Sequence, residues 1–370
     1  MASVRRILAG CGLAFVISFC GCQSTQLSVE DRERRREEEL ALKERYLNRI
    51  QSVETSIYES MELLAAEVAD YNQDELQGYS GAVFVTDLFY PSELSGVARE
   101  RGIGSRVVAR HVFEGSPADE AGLMLGDQLL RLNGKRVPRG EQGASFIVGK
   151  LKKLWFVDQP NTLVVDRNGR ELTLEIEAKN SVYYSVVVTP FLDDEELVYA
   201  EGKAIYFSLD GLEDLEEAEL LYVCAHALVQ NVMKHARMKG QNELFGGVID
   251  IAAMLYGVNT GGVFGNLGRN AHKSGFLIES DLLAIYALAR AGLDIEKYPL
   301  FWEERMIDDR GQLSRANQER IDAMRQVISE IEAKRRAGEP IYPTEYLSGE
   351  WTLNDLRDRV ESSANELSDV

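Results

Sequence analysis

The chain has 370 residues, 45% of them apolar, enough to bury a sizeable core and to fold as two or three domains. Its formal net charge of −19 argues against nucleic acid as a partner, because backbone binding needs a basic face. That charge instead implies a well-solvated acidic surface.

Arg5 and Arg6 precede an apolar run, Ile7 to Phe19, shorter than the roughly 20 residues a spanning helix needs. It ends Phe19-Cys20-Gly21-Cys22, which resembles a bacterial lipoprotein signal. The resemblance implies a signal peptide over residues 1–21, with Cys22 lipidated and first in the mature chain. Leu8-Ala9-Gly10-Cys11 is a second match, but almost no apolar run precedes it. An ordinary secretory signal or an uncleaved anchor are the alternatives. Gln23, not Asp, follows the Cys, so the resemblance favours the outer membrane over the inner, with the protein facing the periplasm. Only Cys224 lies beyond this region, which excludes an internal disulfide in the mature monomer. It sits on an apolar helix and is expected as a buried structural thiol.

Residues 22–77 form a tether and a charged amphipathic helix. Leu40, Leu47, Ile50, Val53, Ile57, Met61, Leu64 and Val68 recur at helical steps from within the run EDRERRREEELALKER onward. The charge run reads as a solvated helix face.

From Gly78 the pattern changes to short β-like runs. Ala82 to Thr86, Arg106 to Val112, Gln128 to Leu132, Thr162 to Asp166 and Glu171 to Glu177 alternate or are β-branched. Asn133-Gly134 and Asn168-Gly169 are turn signals. Gly115-Ser116-Pro117-Ala118, Ala121-Gly122-Leu123, Gly126-Asp127 and Asn133-Gly134-Lys135 together resemble a circularly permuted PDZ domain of the bacterial kind, over 78–180. PDZ domains capture an extended peptide as an added strand and hold its terminal carboxylate on backbone N–H groups. The resemblance places that site at Gly78, Tyr79, Ser80, Gly81, Ala82 and Val83. The insertion from Asp87 to Ser105 is a candidate cover for the groove.

Tyr199 to Tyr206 reads as a strand pair. Leu215 to Ala236, Ile278 to Gly292 and Leu313 to Gly338 read as helices. The Gly-rich stretch from Gln241 to Phe276 is not a spanning segment, since Asp250, Asn259 and three glycines interrupt it. The Tyr199-Ala200-Glu201-Gly202 strand, the Ala225-His226 helix, Glu279-Ser280-Asp281 and Phe301-Trp302-Glu303-Glu304-Arg305-Met306 resemble metallopeptidase family forty-eight. That family includes the CAAX prenyl protease and the membrane heat-shock protease. The resemblance covers residues 181–343, with an acidic tail over 344–370.

A zinc peptidase helix carries His-Glu-x-x-His, two ligands on one face with a general base between them. Here the window is His226-Ala227-Leu228-Val229-Gln230. By resemblance His226 is the first ligand position, Ala227 the catalytic base position and Gln230 the second ligand position. The family's third ligand, four residues before Asp281, falls on Leu277. A further family His falls on Ser314. Ala227 cannot take a proton, and a neutral amide is a poor zinc donor. His235 lies nine residues on, about 900° around the helix and so on the opposite side. The expectation is an α+β protein: an N-terminal amphipathic helix, a small β-rich PDZ domain and a mainly α zincin-like domain. It would bind peptides of envelope proteins, sit on the membrane through its lipid, and carry no cofactor. An active zinc endopeptidase of envelope quality control, with zinc, is the alternative; a purely structural envelope lipoprotein is another.

Overall fold

The computed structural model describes residues 29–190, 192, 197–200, 202, 204–233 and 274–347. The signal region with Cys22, most of the Gly-rich stretch, His235, His272 and the tail beyond Leu347 lie outside the described residues. The chain divides into two units, residues 1–45 and 46–370.

The described part of the first unit is the N-terminal part of helix α1, Val29–Val68. It is exposed almost throughout and carries pairs one turn apart, Asp31 with Arg34 and Glu39 with Lys43. Such pairs support a solvated helix by a few tenths of a kcal/mol each.

The second unit is mixed α+β. Beyond residue 45, α1 buries Leu47, Ile50, Ile57, Leu64 and Val68 in a core continuous with the strands and helices that follow. Strand β1, Gln77–Tyr79, leads into β2, Ala82–Val85. A short insert follows, with helix α2, Ser95–Glu100. Then come β3, Val108–Val112, α3, Pro117–Glu120, β4, Gln128–Leu132, and β5, Lys135–Arg136. Ser116 caps α3 by accepting from Asp119 N. Asn133 and Gly134 both have positive φ and make the tight turn between β4 and β5.

Helix α4, Gly140–Gly149, separates β5 from the hairpin of β6, Asn161–Arg167, and β7, Arg170–Ile176. The antiparallel sheet runs β2-β3-β4-β6-β7, with β5 on β4, so β2 is an edge strand. Strand β8, Lys179–Ser181, returns to pair with β1.

The remainder is a smaller sheet and a helical stack. Strands β9, Ser185–Thr189, β10, Val198–Ala200, and β11, Ala204–Ser208, form a sheet ordered β10-β11-β9, with β9 and β11 parallel. Helix α5, Leu209–Leu212, precedes α6, Glu217–Val232. Glu216 and Glu219 close a reciprocal cap at the start of α6. Against α6 packs α7, Ser274–Arg290, and α7 packs on α9, Arg315–Ala337. Helix α8, Tyr298–Met306, packs on α6 and α9, and α10, Thr344–Leu347, closes against α7. Ser314 caps α9 and Gly338, at φ 71°, ends it in the left-handed region. Among the described residues, no helix is long and apolar enough to cross a membrane.

Candidate functional site

Two places gather the residues singled out by sequence. The first is on α6. His226 and Gln230 stand one turn apart on one face, and the Gln230 amide Nε2–H donates to His226 Nε2 at 2.8 Å. The other ring nitrogen, Nδ1, lies 2.8 Å from Asp281 Oδ1 on α7. This pairing calls for the tautomer with its proton on Nδ1. His226 is 4% exposed and Asp281 is fully buried.

Asp281 is the centre of this cluster. Arg320, on α9, donates to both carboxylate oxygens, and Tyr298 Oη–H donates to Oδ1 at 3.1 Å. Burial alone would raise the Asp281 carboxyl. The Arg320 guanidinium and the His226 ring outweigh it and hold the carboxyl below its usual range. The Tyr298 hydroxyl is pushed far up by burial and by the Asp281 charge. Trp302 covers the cluster: its ring is 5.2 Å from the His226 ring and 5.2 Å from the Arg320 guanidinium carbon.

Ala227 is buried and apolar. Leu277 is on α7 one turn before Asp281, on the same face, and half-buried. Zinc is the ion that the resemblance implies, and the described donors do not fit it. The nitrogen that would ligate accepts from Gln230, and the neighbouring carboxylate is spent on Arg320 and Tyr298. Among the described residues, no three His, Cys, Asp or Glu side chains come together. Cys224, one turn from Leu228 on α6, is buried, and burial drives its thiol well up, away from nucleophile chemistry.

The second place is the edge of the larger sheet. Ala82 and Phe84 share one face of β2 and, with Ile147 and Val148 of α4, line a groove. Val83 points the other way, toward Tyr58 and Met61 of α1 and Leu228 of α6. The stretch Gly78 to Gly81 leads into β2, but Gly78 and Tyr79 are already paired with Asn180 and Lys179 of β8. Ser80 O accepts from Ala118 N at 2.8 Å, and Gly81 O from Phe113 N at 3.1 Å and from Ser116 Oγ. Two glycines are demanded by closeness. A Cβ on Gly78 would lie 2.3 Å from Trp155 O, and one on Gly81, at φ 78°, would lie 2.2 Å from Ser116 Cβ.

The expected cover of the groove is displaced. No residue from Asp87 to Ser105 lines it. That insert folds on itself through Arg99 and Asp87, and Arg101 reaches Asn48 and Gln51 of α1. Trp155, Tyr183 and Ser185 stand at the groove instead.

Sequence reasoning missed three functional groups. Asp281 served only as a motif landmark, yet a fully buried carboxylate in the apolar run of α7 demands a buried cation. Arg320 is that cation. Helix α4, the groove's far wall, was passed over because its three glycines weaken any helical signal.

No family model matches the chain, and no curated protein matches it. Solved structures with some likeness include an HtrA-type protease, AlgW, with a decapeptide: 23% identity over 28% of this chain and 30% of that one, TM-score 0.22. Another is the HtrA3 PDZ domain bound to a phage-derived ligand, FGRWV: 17% identity over 28% of this chain and 88% of that one, TM-score 0.20. The chain thus spans less than a third of the protease's length.

Proposed function

We propose that this is a non-hydrolytic peptide-binding protein of the cell envelope, built on a PDZ-like sheet and a metallopeptidase-like helical domain. It would be lipid-anchored at Cys22, face the periplasm, and bind extended or C-terminal segments of envelope proteins. The observation that carries the reading is the state of His226. Asp281 holds Nδ1 as an outer carboxylate holds a metal-bound histidine, while Gln230 takes the nitrogen that would face the metal. On this reading the outer support of a former zinc site is kept and its ligands are replaced. Ala227 leaves no base to activate water. Peptide binding is supported by an edge strand, β2, faced by α4 across an apolar groove, the geometry in which a peptide adds a strand.

The test is metal analysis with protease assay. The purified chain is expected to hold substoichiometric zinc and to leave casein intact. The triple variant Ala227→Glu, Gln230→His, Leu277→Glu is expected to gain zinc, because the outer shell is still in place. Stoichiometric zinc in the unaltered chain, with cleavage that a chelator abolishes, would establish the endopeptidase instead.

A further inference from the structure

The groove beside β2 is nearly full. Its free volume is ≈ 20 Å³, room for about one water and far less than any peptide strand needs. The filling comes from the chain itself. Tyr183 and Ser185 line the groove together with Trp155, Leu151 and Lys152.

Residues 182–184 lie between β8 and β9 and belong to neither. They are pinned by side chains rather than by a strand ladder. The Tyr183 ring stacks on Tyr79 at 5.3 Å between centroids and 20° between planes. Gln77 Nε2–H donates to Tyr183 O at 2.5 Å, and Tyr184 Oη–H donates to Glu75 Oε2 at 3.1 Å. Every one of these partners lies in residues 75–79, the approach to β2. The half-buried Tyr183 ring therefore sits on the loop that a peptide terminus would need, while Val182 and Tyr184 on either side of it are buried in the core.

Its far end is not free. Ser185 starts β9 and pairs with Ala204 of β11. Ala204 O accepts from Asn231 Nδ2 at 3.4 Å, and Asn231 Oδ1 accepts from Gly202 N at 2.7 Å. Asn231 follows Gln230 on α6. Backbone pairing of β9 with β11, and then the Asn231 side chain, thus link the groove to the helix that carries His226.

We propose that the groove is a binding site held shut by its own chain, with Tyr183 as the plug, and that a C-terminal peptide binds only by displacing the Tyr183 ring. This rests on the peptide-binding reading above. The plug lowers the apparent affinity by the fraction of molecules in which it is open.

The experiment pans a phage-displayed library of random C-terminal heptapeptides on the full chain and on variants. Tyr183→Leu removes the stacked ring; Gln77→Ala removes the bond to the Tyr183 carbonyl and keeps the ring, so the test survives if either variant fails to fold. Tyr183→Phe is the control that keeps the stack. Clones recovered on the opened variants are expected to bind the unaltered chain and Tyr183→Phe at least tenfold more weakly. Amide exchange of residues 179–185 in the unaltered chain is expected to rise on saturation with such a peptide. If the unaltered chain and the opened variants bind the same clones within twofold, the plug is refuted and the groove stands as open. If no variant recovers a clone, the peptide-binding reading itself falls, and the plug with it.

Discussion

The groove at β2 and the cluster on α6 are both sites filled by the chain's own side chains, but they are closed by different means. At the cluster the closure is written in residue identity. Gln230 donates to the His226 ring, Ala227 beside it is apolar, and Asp281, Arg320 and Tyr298 satisfy one another. No motion of a loop would open that cluster. At the groove the closure is conformational, since the Tyr183 ring could swing out with no change of residue. The contrast teaches that a filled site is not one state: the first kind costs stability to disturb, the second changes affinity.

The largest effect is expected at Asp281. Asp281→Ala would leave Arg320 as an uncompensated buried cation and is expected to cost about 3–5 kcal/mol in denaturant unfolding. A loss under 1 kcal/mol would show that the cluster is not a structural closure. A comparable effect is expected at Glu54, buried on α1 beside Arg110 and Tyr90. Burial, opposed by Arg110 and by the Tyr90 hydrogen bond, raises its carboxyl to about 7. A folded value above the unfolded one favours the fold below the unfolded value, and the benefit is lost as pH rises to about 7. A carboxyl raised that far corresponds to about 3 kcal/mol. Glu54→Gln should flatten the thermal midpoint between pH 5 and 7; an unchanged slope would remove Glu54 as its source.

Asp281 has the opposite sign. Its folded value is depressed, so its contribution is present above the unfolded value, about 3.9, and is lost as pH falls below it. The unaltered chain should therefore lose stability in acid, and Asp281→Asn should show less of that loss. A smaller effect belongs to Gln230→Ala, which leaves His226 Nε2 without its donor and is expected to cost about 1–3 kcal/mol. Tyr183→Phe should fall at the bottom of this series, within about 0.5 kcal/mol, because the stack on Tyr79 is kept. A larger loss would mean that the plug is structural in the same sense as the cluster.

Much of this was legible in sequence because it rests on local spacing. His226 and Gln230 meet because residues four apart on a helix share a face. The turn at Asn133-Gly134 follows from what positive φ demands. The mixed α+β class followed from the switch between two and 3.6 residue periods. What escaped depends on meetings across the chain. Arg320 finds Asp281 from 39 residues away, and no spacing rule joins α7 to α9. Trp155 and Tyr183 reach the groove from a loop and a linker, where side chains follow no period. The insert from Asp87 to Ser105 was the nearer candidate for a cover, but its own cap and its Arg99 contact to Asp87 draw it inward.

The pairing of β1 with β8 also sets an order of events during synthesis. Gln77 waits for Ser181, so this ladder cannot close until more than a hundred residues separate its first strand from the growing end. Closing so long a loop is an entropic cost met late, which makes the step slow. Tyr183 follows Ser181 by two positions. The plug is therefore made within moments of the strand that lets the ladder form, yet both walls of the groove, β2 and α4, are made before it, so the groove is shut only when this late ladder closes.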